Sequence, residues 1–463
     1  MTTLFSSRNV FAGLAIFAGL IAETGALFGA DDAGALTRKL KAAVRSQDYT
    51  TAERLVEELA ATGEPDAYRS ILQYTLAGVD YGLEKTAGFA LASSASGEVH
   101  DEIYEQLLKH RNFKTRIVLL AVVARWADED SRALESVHLT LSDRKKPVVL
   151  AALSWLKKLK RLESVEPLLD LLETRVKKVR GRMVRVTDRV YYDTIDTLRA
   201  ITEREFKSVA DWRAFWKSHK DGNVQAVALS KPKRKGPKRK GSSRTAVYRP
   251  PSFFNIPVNS DRVLFIIDVS GSMLKTDLRM VTEAVAGAET KVGKTGVGSG
   301  SSGGRGAAPE VRVRLRRAQD ELIRVIDTLD ASVKFGIMAF SHKMFFWGGE
   351  PRLVDATRAN QSVAKDWVNR LQATGFTRTD KALGHALGFL EVDTIFLLTD
   401  GEPKARNNQR LAVNPILEYV REENRFLRCR IHAVSFEQIR DTKMRYLVEQ
   451  ISAKNEGRHV YLK

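Results

Sequence analysis

Residues 263–273 read Val-Leu-Phe-Ile-Ile-Asp-Val-Ser-Gly-Ser-Met, and this stretch decides the fold of the C-terminal half of the chain. The run of five apolar residues at its start is typical of a buried strand, and it ends abruptly in Asp268. Ser270 and Ser272 follow, so three oxygen-bearing side chains come directly after the strand. Ligands bind at the carboxyl ends of the strands in open α/β sheets, so the stretch predicts a binding site at this end.

The pattern around this stretch is an alternation of apolar strands with amphipathic helices. Strands are predicted at 263–267, 333–340, 394–398, 431–436 and, as a last edge strand, 459–462. Helices are predicted between them, at 311–329, 362–371, 381–390, 415–425 and 442–452. Such alternation predicts a doubly wound α/β domain at 255–463, with a mainly parallel, Rossmann-like sheet covered on both faces.

Two further polar segments stand in positions that could meet the first. Residues 375–377, Gly-Phe-Thr, precede the predicted helix 381–390, and residues 399–401, Thr-Asp-Gly, follow the predicted strand 394–398. Neighbouring parallel strands would bring the carboxylate after 394–398 next to Asp268. Hard oxygen donors without Cys or His suit Mg²⁺, with Mn²⁺ or Ca²⁺ as alternatives, rather than zinc.

Taken together and in this order, the three segments resemble the metal-ion-dependent adhesion site of von Willebrand factor A (VWA) domains. The resemblance covers residues 255–463. It implies that Ser270, Ser272 and Thr377 bind the cation directly, whereas Asp268 and Asp400 act through water. It also implies an open coordination position that a carboxylate from an acidic partner fills.

Two features depart from the family's pattern. About 35 residues separate the first motif from the next clear helix, and they include a Gly/Ser-rich insertion at about 289–309. This insertion is either a lid or contact loop, or a tolerated surface insertion. Thr379 competes with Thr377 as the threonine ligand, and Thr377 is preferred because Gly375 leaves room for a close backbone turn.

A relaxed phosphate-loop pattern at 288–295 is discounted, because it lacks the strand-to-helix framing that such a loop needs. We therefore expect no nucleotide as a partner. Basic residues flank the three site segments, and cations beside a metal favour an acidic side chain from a partner protein. The alternative is that these residues only face solvent. They are Lys275, Arg279, Arg378, Lys404 and Arg406.

The N-terminal half is predicted to be all-α. Over residues 31–220 apolar residues recur at helical spacing, and the tetrapeptide Leu-Glu-Ser-Val occurs at 134–137 and again at 162–165. A period near 30 with two helices per unit is typical of a helical solenoid. The segment resembles HEAT-like or armadillo-type repeats, and an irregular helical bundle is the alternative.

Residues 221–254 form a predicted linker rich in Lys, Gly, Pro and Ser. The chain carries a formal charge of +19, and eight cations at 231–244 leave an excess of 11 elsewhere. This balance suggests a second function: binding a polyanion such as a cell-wall polymer, an anionic membrane surface or nucleic acid. Nucleic acid is disfavoured because the tract has no aromatic residues for base stacking. The candidate residues are Lys231, Lys233, Arg234, Lys235, Lys238, Arg239 and Lys240.

The first 30 residues have the parts of a secretory signal peptide: Arg8, an apolar run at 10–22, and small residues after it. An uncleaved membrane anchor is the alternative, so the protein is expected to be periplasmic, secreted or anchored. The single cysteine, Cys429, forms no intramolecular disulfide and is predicted to be a packed residue. The eight histidines show no metal-ligand spacing and no nucleophile is evident, so we expect an adhesion or scaffolding protein that is not an enzyme.

Overall fold

The computed structural model describes residues 32–76, 78–179, 182–206, 208–220, 250–276, 313–389, 391–405, 409–436 and 442–462. The chain divides into two compact units. The first contains the described residues up to Leu171 together with Thr197–Glu203, and the second contains Leu172–Asp196 and the chain from Arg204 onward. The predicted leader at 1–30, the basic tract at 231–240 and the insertion at about 289–309 lie outside the described residues.

Short helices follow one another from Ala33 to Thr174. Several begin at a polar residue that satisfies a free backbone N–H: Asp48 accepts from the N–H of Thr51, and Asp80 from that of Leu83. The helices are α1 (Ala33–Arg45), α2 (Tyr49–Thr62), α3 (Pro65–Thr75), α4 (Tyr81–Ala92), α5 (Gly97–Lys109), α6 (Phe113–Trp126), α7 (Ser131–Leu139), α8 (Lys146–Leu159) and α9 (Val165–Thr174).

Alternate helices of the first unit contact each other as well as their chain neighbours. Helix α2 packs on α4, α4 on α6, and α6 on α8, while α1 packs on α3, α3 on α5, and α5 on α7. The packing of these helices buries many leucine and alanine side chains, among them those of Leu59, Leu91, Leu120 and Leu153. This confirms a helical N-terminal region. Its assignment to HEAT-like repeats remains a prediction.

A β-hairpin interrupts the helical sequence, which the prediction of an all-α region missed. Its strands, β1 (Val176–Val179) and β2 (Arg182–Arg185), pair antiparallel and belong to the second unit. Four residues are too few for the strand and helix periodicities to be told apart, so the sequence pattern gave no sign of it. Helices α10 (Arg189–Thr202) and α11 (Val209–Lys220) follow.

The second unit is built around a mostly parallel sheet, as predicted. Its strand order is β11-β10-β9-β5-β6-β7, with β8 also pairing with β6. Strands β5, β6, β9, β10 and β11 are parallel, whereas the short β7 and β8 run antiparallel to β6 and were not predicted. The strands are β5 (Arg262–Asp268), β6 (Lys334–Phe340), β7 (Met344–Phe346), β8 (Val354–Asp355), β9 (Thr394–Thr399), β10 (Arg430–Phe436) and β11 (His459–Leu462), preceded by a small hairpin of β3 (Ser252–Phe253) and β4 (Ile256–Pro257).

Helices cover both faces of the sheet, so its central strands are buried on each side. Phe265 and Ile267 face α12 and α13, whereas Leu264 and Ile266 face α14, α15 and α16. This two-sided burial explains why β5 is a continuous apolar run rather than an alternating one. The helices are α12 (Arg314–Thr328), α13 (Arg358–Asn369), α14 (Thr379–Leu387), α15 (Val413–Leu427) and α16 (Thr442–Lys454).

The order of the strands creates a crevice at the end of β5. From β5 the chain moves to β6 on one side, and it later returns to place β9 on the other side. The strand order therefore reverses between β5 and β9, and ligands bind at the carboxyl ends of strands at such a point. Asp268 ends β5, and Asp400 follows directly after β9. Within the described part of the chain, no helix has the length and apolar character needed to span a membrane.

Candidate metal site

Asp268 is fully buried at the base of the crevice. One carboxylate oxygen, Oδ1, accepts a 2.8 Å hydrogen bond from the backbone N–H of Ser270. The other, Oδ2, accepts a 2.7 Å bond from the hydroxyl of Thr399, the last residue of β9. Burial removes water from the carboxylate and the negative charge of Asp400 lies nearby, so the pKa of Asp268 is raised to about 7. A cation placed here would offset both effects.

A chain of hydroxyl groups joins the three segments predicted from the sequence. The hydroxyl of Thr377 donates to Ser270 Oγ over 2.9 Å, and Ser272 Oγ donates to Asp400 Oδ1 over 2.6 Å. Ser270 Oγ and Ser272 Oγ are 3.1 Å apart. Because the proton of Ser272 is directed to Asp400, Ser270 must be the donor between the two serines. The hydrogen bonds thus run in one direction, from Thr377 through both serines to Asp400.

Backbone hydrogen bonds hold the loops of the site against one another. The N–H of Thr374 donates to the carbonyl of Val269 over 2.7 Å, and the N–H of Gly271 donates to the carbonyl of Gly375 over 2.9 Å. Gly375 has a φ of 75°, a conformation that favours glycine. The N–H of Lys404 donates to the carbonyl of Thr377 over 2.8 Å. These backbone bonds therefore hold the side-chain oxygens of the cluster in a defined arrangement within the folded chain.

Gly401 provides the space that Thr377 occupies. A Cβ atom at position 401 would lie 2.3 Å from Thr377 Oγ1 and 3.2 Å from Thr377 Cβ. The first distance is shorter than real Cβ contacts and the second is tight, so a larger residue at 401 would force the Thr377 hydroxyl to move. The glycine in the Thr-Asp-Gly segment thus has a packing role that sequence analysis did not assign.

Two residues that sequence analysis did not select contact the carboxylates directly. Thr399 donates to Asp268, as described above, and Arg314 Nη1 donates to Asp400 Oδ2 over 2.6 Å. The side chains of Arg314 and Asp400 are 5% and 0% exposed, so their ion pair is buried. Thr399 was adjacent to a selected residue and could have been found. Arg314 follows the long insertion, and no local signal pointed to it.

The structure also distinguishes the two candidate threonines. Thr377 faces Ser270, whereas the hydroxyl of Thr379, the first residue of α14, is buried and makes no hydrogen bond among the described residues. The preference for Thr377 as the threonine of the cluster agrees with this geometry.

The flanking cations predicted from the sequence have different surroundings. Arg378 forms a two-pronged ion pair with Asp380. Lys275 is exposed and Lys404 is half-buried, while Arg279 and Arg406 lie outside the described residues. The charge of Arg378 is therefore neutralised by Asp380. Arg314, by contrast, pairs directly with Asp400 and so places a positive charge beside the site.

The five predicted residues, Asp268, Ser270, Ser272, Thr377 and Asp400, all lie within one hydrogen-bonded network. Three hydroxyl oxygens and two carboxylates are hard donors, which fit Mg²⁺ or Mn²⁺ once the hydroxyl protons turn away from the cation. Among the described residues, no group of three or more His, Cys, Asp and Glu side chains could hold a metal. Any cation site here therefore depends on hydroxyl groups. That the five residues bind a metal remains a prediction.

An open groove lies beside the Asp400 loop. It has a volume of about 570 Å³ and is lined by Glu402, Arg410, Lys443 and Tyr446, together with residues 411–414. Arg410 Nε lies 2.7 Å from Glu402 Oε2, so the wall of the groove at Glu402 carries an ion pair.

Cys429 lies elsewhere in the second unit and is buried, which confirms the prediction of a packed residue. Burial raises the pKa of its thiol to about 12.

Comparisons with known proteins support a VWA domain in this chain, although no family model matches it. The chain is 26% identical over 187 residues to bovine inter-alpha-trypsin inhibitor heavy chain H4, covering 36% of this chain and 16% of that protein. It is 27% identical over 168 residues to pig heavy chain H2, covering 34% and 14%. It is 36% identical over 69 residues to human von Willebrand factor A domain-containing protein 3A, covering 15% and 6%. The chain thus spans about one sixth or less of each of these relatives.

Similar solved structures include a von Willebrand factor type A protein from Catenulispora acidiphila. It is 17% identical, with coverage of 45% of this chain and 40% of that chain and a TM-score of 0.28. The PilB minor pilin from Streptococcus sanguinis is 14% identical, with coverage of 44% and 58% and a TM-score of 0.28.

Proposed function

We propose that this chain is a non-enzymatic adhesion or protein-interaction protein that binds an acidic partner through a divalent cation. The cation, Mg²⁺ in the first place and otherwise Mn²⁺ or Ca²⁺, is held by Asp268, Ser270, Ser272, Thr377 and Asp400. The observation that carries the proposal is the hydroxyl chain from Thr377 to Asp400 in the crevice between β5 and β9. Proteins with VWA domains are typically adhesion or protein-interaction proteins, which agrees with this function.

The charge of the site explains why the partner would be acidic. Three of the five donors are neutral hydroxyls, and one of the two carboxylates, Asp400, is already paired with Arg314. A divalent cation in such a site keeps much of its positive charge. It therefore has a strong remaining preference for an anionic ligand, and an exposed Asp or Glu of a partner protein supplies one.

Export is the second part of the proposal, and it rests on the signal-like composition of residues 1–30. A partner met outside the cytoplasm fits an adhesion role. Export is tested by isolating the protein from the membrane fraction and from the external fraction of its native cells and identifying its N-terminal residue. A free N-terminus near residues 27–31 supports cleavage, and an intact leader in the membrane fraction supports an anchor.

Titration of the full-length chain with Mg²⁺ and Mn²⁺ by isothermal calorimetry tests the metal site. We expect saturable binding at one site, and a loss of roughly 10- to 100-fold in affinity for Ser272→Ala and for Asp268→Asn. Ser341→Ala is a matched control, because Ser341 is also a buried serine just after a parallel strand but bonds to His342 instead of the cluster. Absence of binding by the unaltered chain would refute the metal site.

The alternative function is polyanion binding, and the observation that favours it is the basic tract at 231–240 within a chain of charge +19. In that case the tract carries the affinity for an anionic cell-wall polymer or an anionic membrane surface, and the metal only stabilises the fold. The two functions differ in their response to EDTA. Chelation should abolish binding of an acidic protein partner, whereas it should leave binding of a polyanion largely unchanged, because that binding depends mainly on salt concentration.

A further inference from the structure

We propose that Arg314 is a built-in counter-cation that weakens divalent-cation binding at this site and strengthens the capture of a partner's carboxylate. The inference rests on the proposed metal site and adds a residue that sets the balance between its two ligands. It comes from a contact that the sequence motif does not contain.

Arg314 contacts Asp400 directly. Arg314 Nη1 lies 2.6 Å from Asp400 Oδ2, while Asp400 Oδ1 accepts from Ser272. Both oxygens of this carboxylate are therefore engaged. A cation that approaches Asp400 must share it with a guanidinium, and because the pair is buried, solvent screens their interaction only weakly.

Backbone contacts and an aromatic ring hold Arg314 in place. Arg314 is the first residue of α12, where the helix dipole disfavours a positive charge. Its N–H nevertheless donates to the carbonyl of Lys275 over 3.0 Å, and Val313 forms an antiparallel bridge with Thr276. The guanidinium carbon also lies 5.1 Å from the centre of the Phe436 ring. An otherwise unfavourable position for a cation is thus fixed by three separate contacts.

Arg314 also changes the net charge of the oxygen cluster. Asp268 and Asp400 contribute −2 when both are ionised, and Arg314 brings the cluster to −1. A divalent cation then leaves the loaded site at +1, whereas a site without Arg314 would be neutral. Arg314 therefore repels the metal, and the surplus positive charge attracts an anion to the open coordination position.

Substitution of Arg314 should consequently move the two affinities in opposite directions. Compared with the unaltered chain, we expect Arg314→Gln to bind Mn²⁺ roughly tenfold more tightly and the Mn²⁺-loaded variant to bind acetate roughly tenfold more weakly. Calorimetry measures Mn²⁺ binding in the full-length chain. Paramagnetic broadening of the acetate methyl signal in NMR spectra measures the second affinity at the metal itself.

Arg316→Gln is the matched control, since it removes the same charge from the same helix at an exposed position paired with Asp320. It should leave both affinities unchanged. If Arg314→Gln does not fold without metal, Arg314→Met, which keeps an unbranched stem of similar length, takes its place, and circular dichroism verifies its fold. A folded Arg314 variant with unchanged or weaker Mn²⁺ binding overturns the inference. Absence of Mn²⁺ binding in the unaltered chain instead overturns the metal site.

Discussion

Three of the five polar side chains in the cluster at the end of β5 carry hydroxyl groups, and two carry carboxylates. In the proposed metal site the two carboxylates balance a divalent cation, and the pairing of Asp400 with Arg314 leaves a surplus positive charge that favours an anion. The geometry depends on small side chains as much as on the donors, because Ser270 and Thr377 are buried and their oxygens meet at 2.9 Å. Small changes in volume at neighbouring positions should therefore affect the site without removing a donor.

Gly401→Ala tests this at the residue scale. The added methyl group would clash with the Thr377 hydroxyl, so we expect the variant to lose roughly 10- to 100-fold in Mn²⁺ affinity, as supporting residues of metal sites generally do. Gly271→Ala is the control from the same site, because its Cβ would meet only the Gly375 carbonyl, at an ordinary 3.5 Å. Calorimetry compares the two. Equal Mn²⁺ affinity in both variants would contradict the packing role given to Gly401.

At the scale of elements, one buried arginine at the start of α10 contacts the segments that lead into three strands of the second unit. Arg189 is fully buried. Its guanidinium donates to the carbonyls of Asp393 and Arg428, which precede β9 and β10, and pairs with Glu456, which precedes β11. Three connections at the amino ends of the strands are thus held by one side chain.

Arg189→Met should loosen these connections. The substitution removes the donor to the buried carbonyl of Asp393 and the partner of the buried carboxylate of Asp193, so we expect a loss of roughly 3 kcal/mol in local stability. Hydrogen exchange in peptides from β9 and β10, followed by mass spectrometry, should accelerate roughly a hundredfold, the rate factor that corresponds to this energy. Arg445→Met removes an exposed arginine paired with Glu449 and should leave exchange unchanged. Unaltered exchange in Arg189→Met would show that the contacts add no stability.

At the scale of the whole molecule, charge and chemistry are divided between different parts of the chain. The oxygen cluster is formed by residues between Asp268 and Asp400, whereas eight of the cations that produce the net charge of +19 belong to residues 231–244. The proposed attraction to an anionic surface and the proposed recognition of a carboxylate at a metal therefore depend on different residues.

Replacement of the seven Lys and Arg residues at 231–240 by Gln separates the two properties. Mn²⁺ affinity should stay the same, because the oxygen cluster is unchanged. Retention on an anionic heparin column should fall, and the variant should elute at lower salt, since fewer counterions are released on binding. A variant that keeps its heparin retention would rule out the tract as the polyanion site. A simultaneous loss of Mn²⁺ binding would show that the two properties are not independent.

The sequence by itself determined the type of each long element and the identity of the polar residues that end β5 and β9. Periodicity and apolar runs depend on local geometry, so they could be read directly from the residues. The short strands β1, β2, β7 and β8 escaped prediction because two to four residues carry too little pattern to be recognised.

Tertiary structure alone decided which atoms meet in the crevice. Thr399 and Arg314 contact the two aspartates from positions 131 and 86 residues away in sequence, and such contacts leave no local pattern. The balance of charge at the site follows from these contacts, as does the space that Gly401 leaves for Thr377. The donors were therefore visible in the sequence, but their neutralisation depends on the order in which the sheet places its strands and on the entry of α12 beside them.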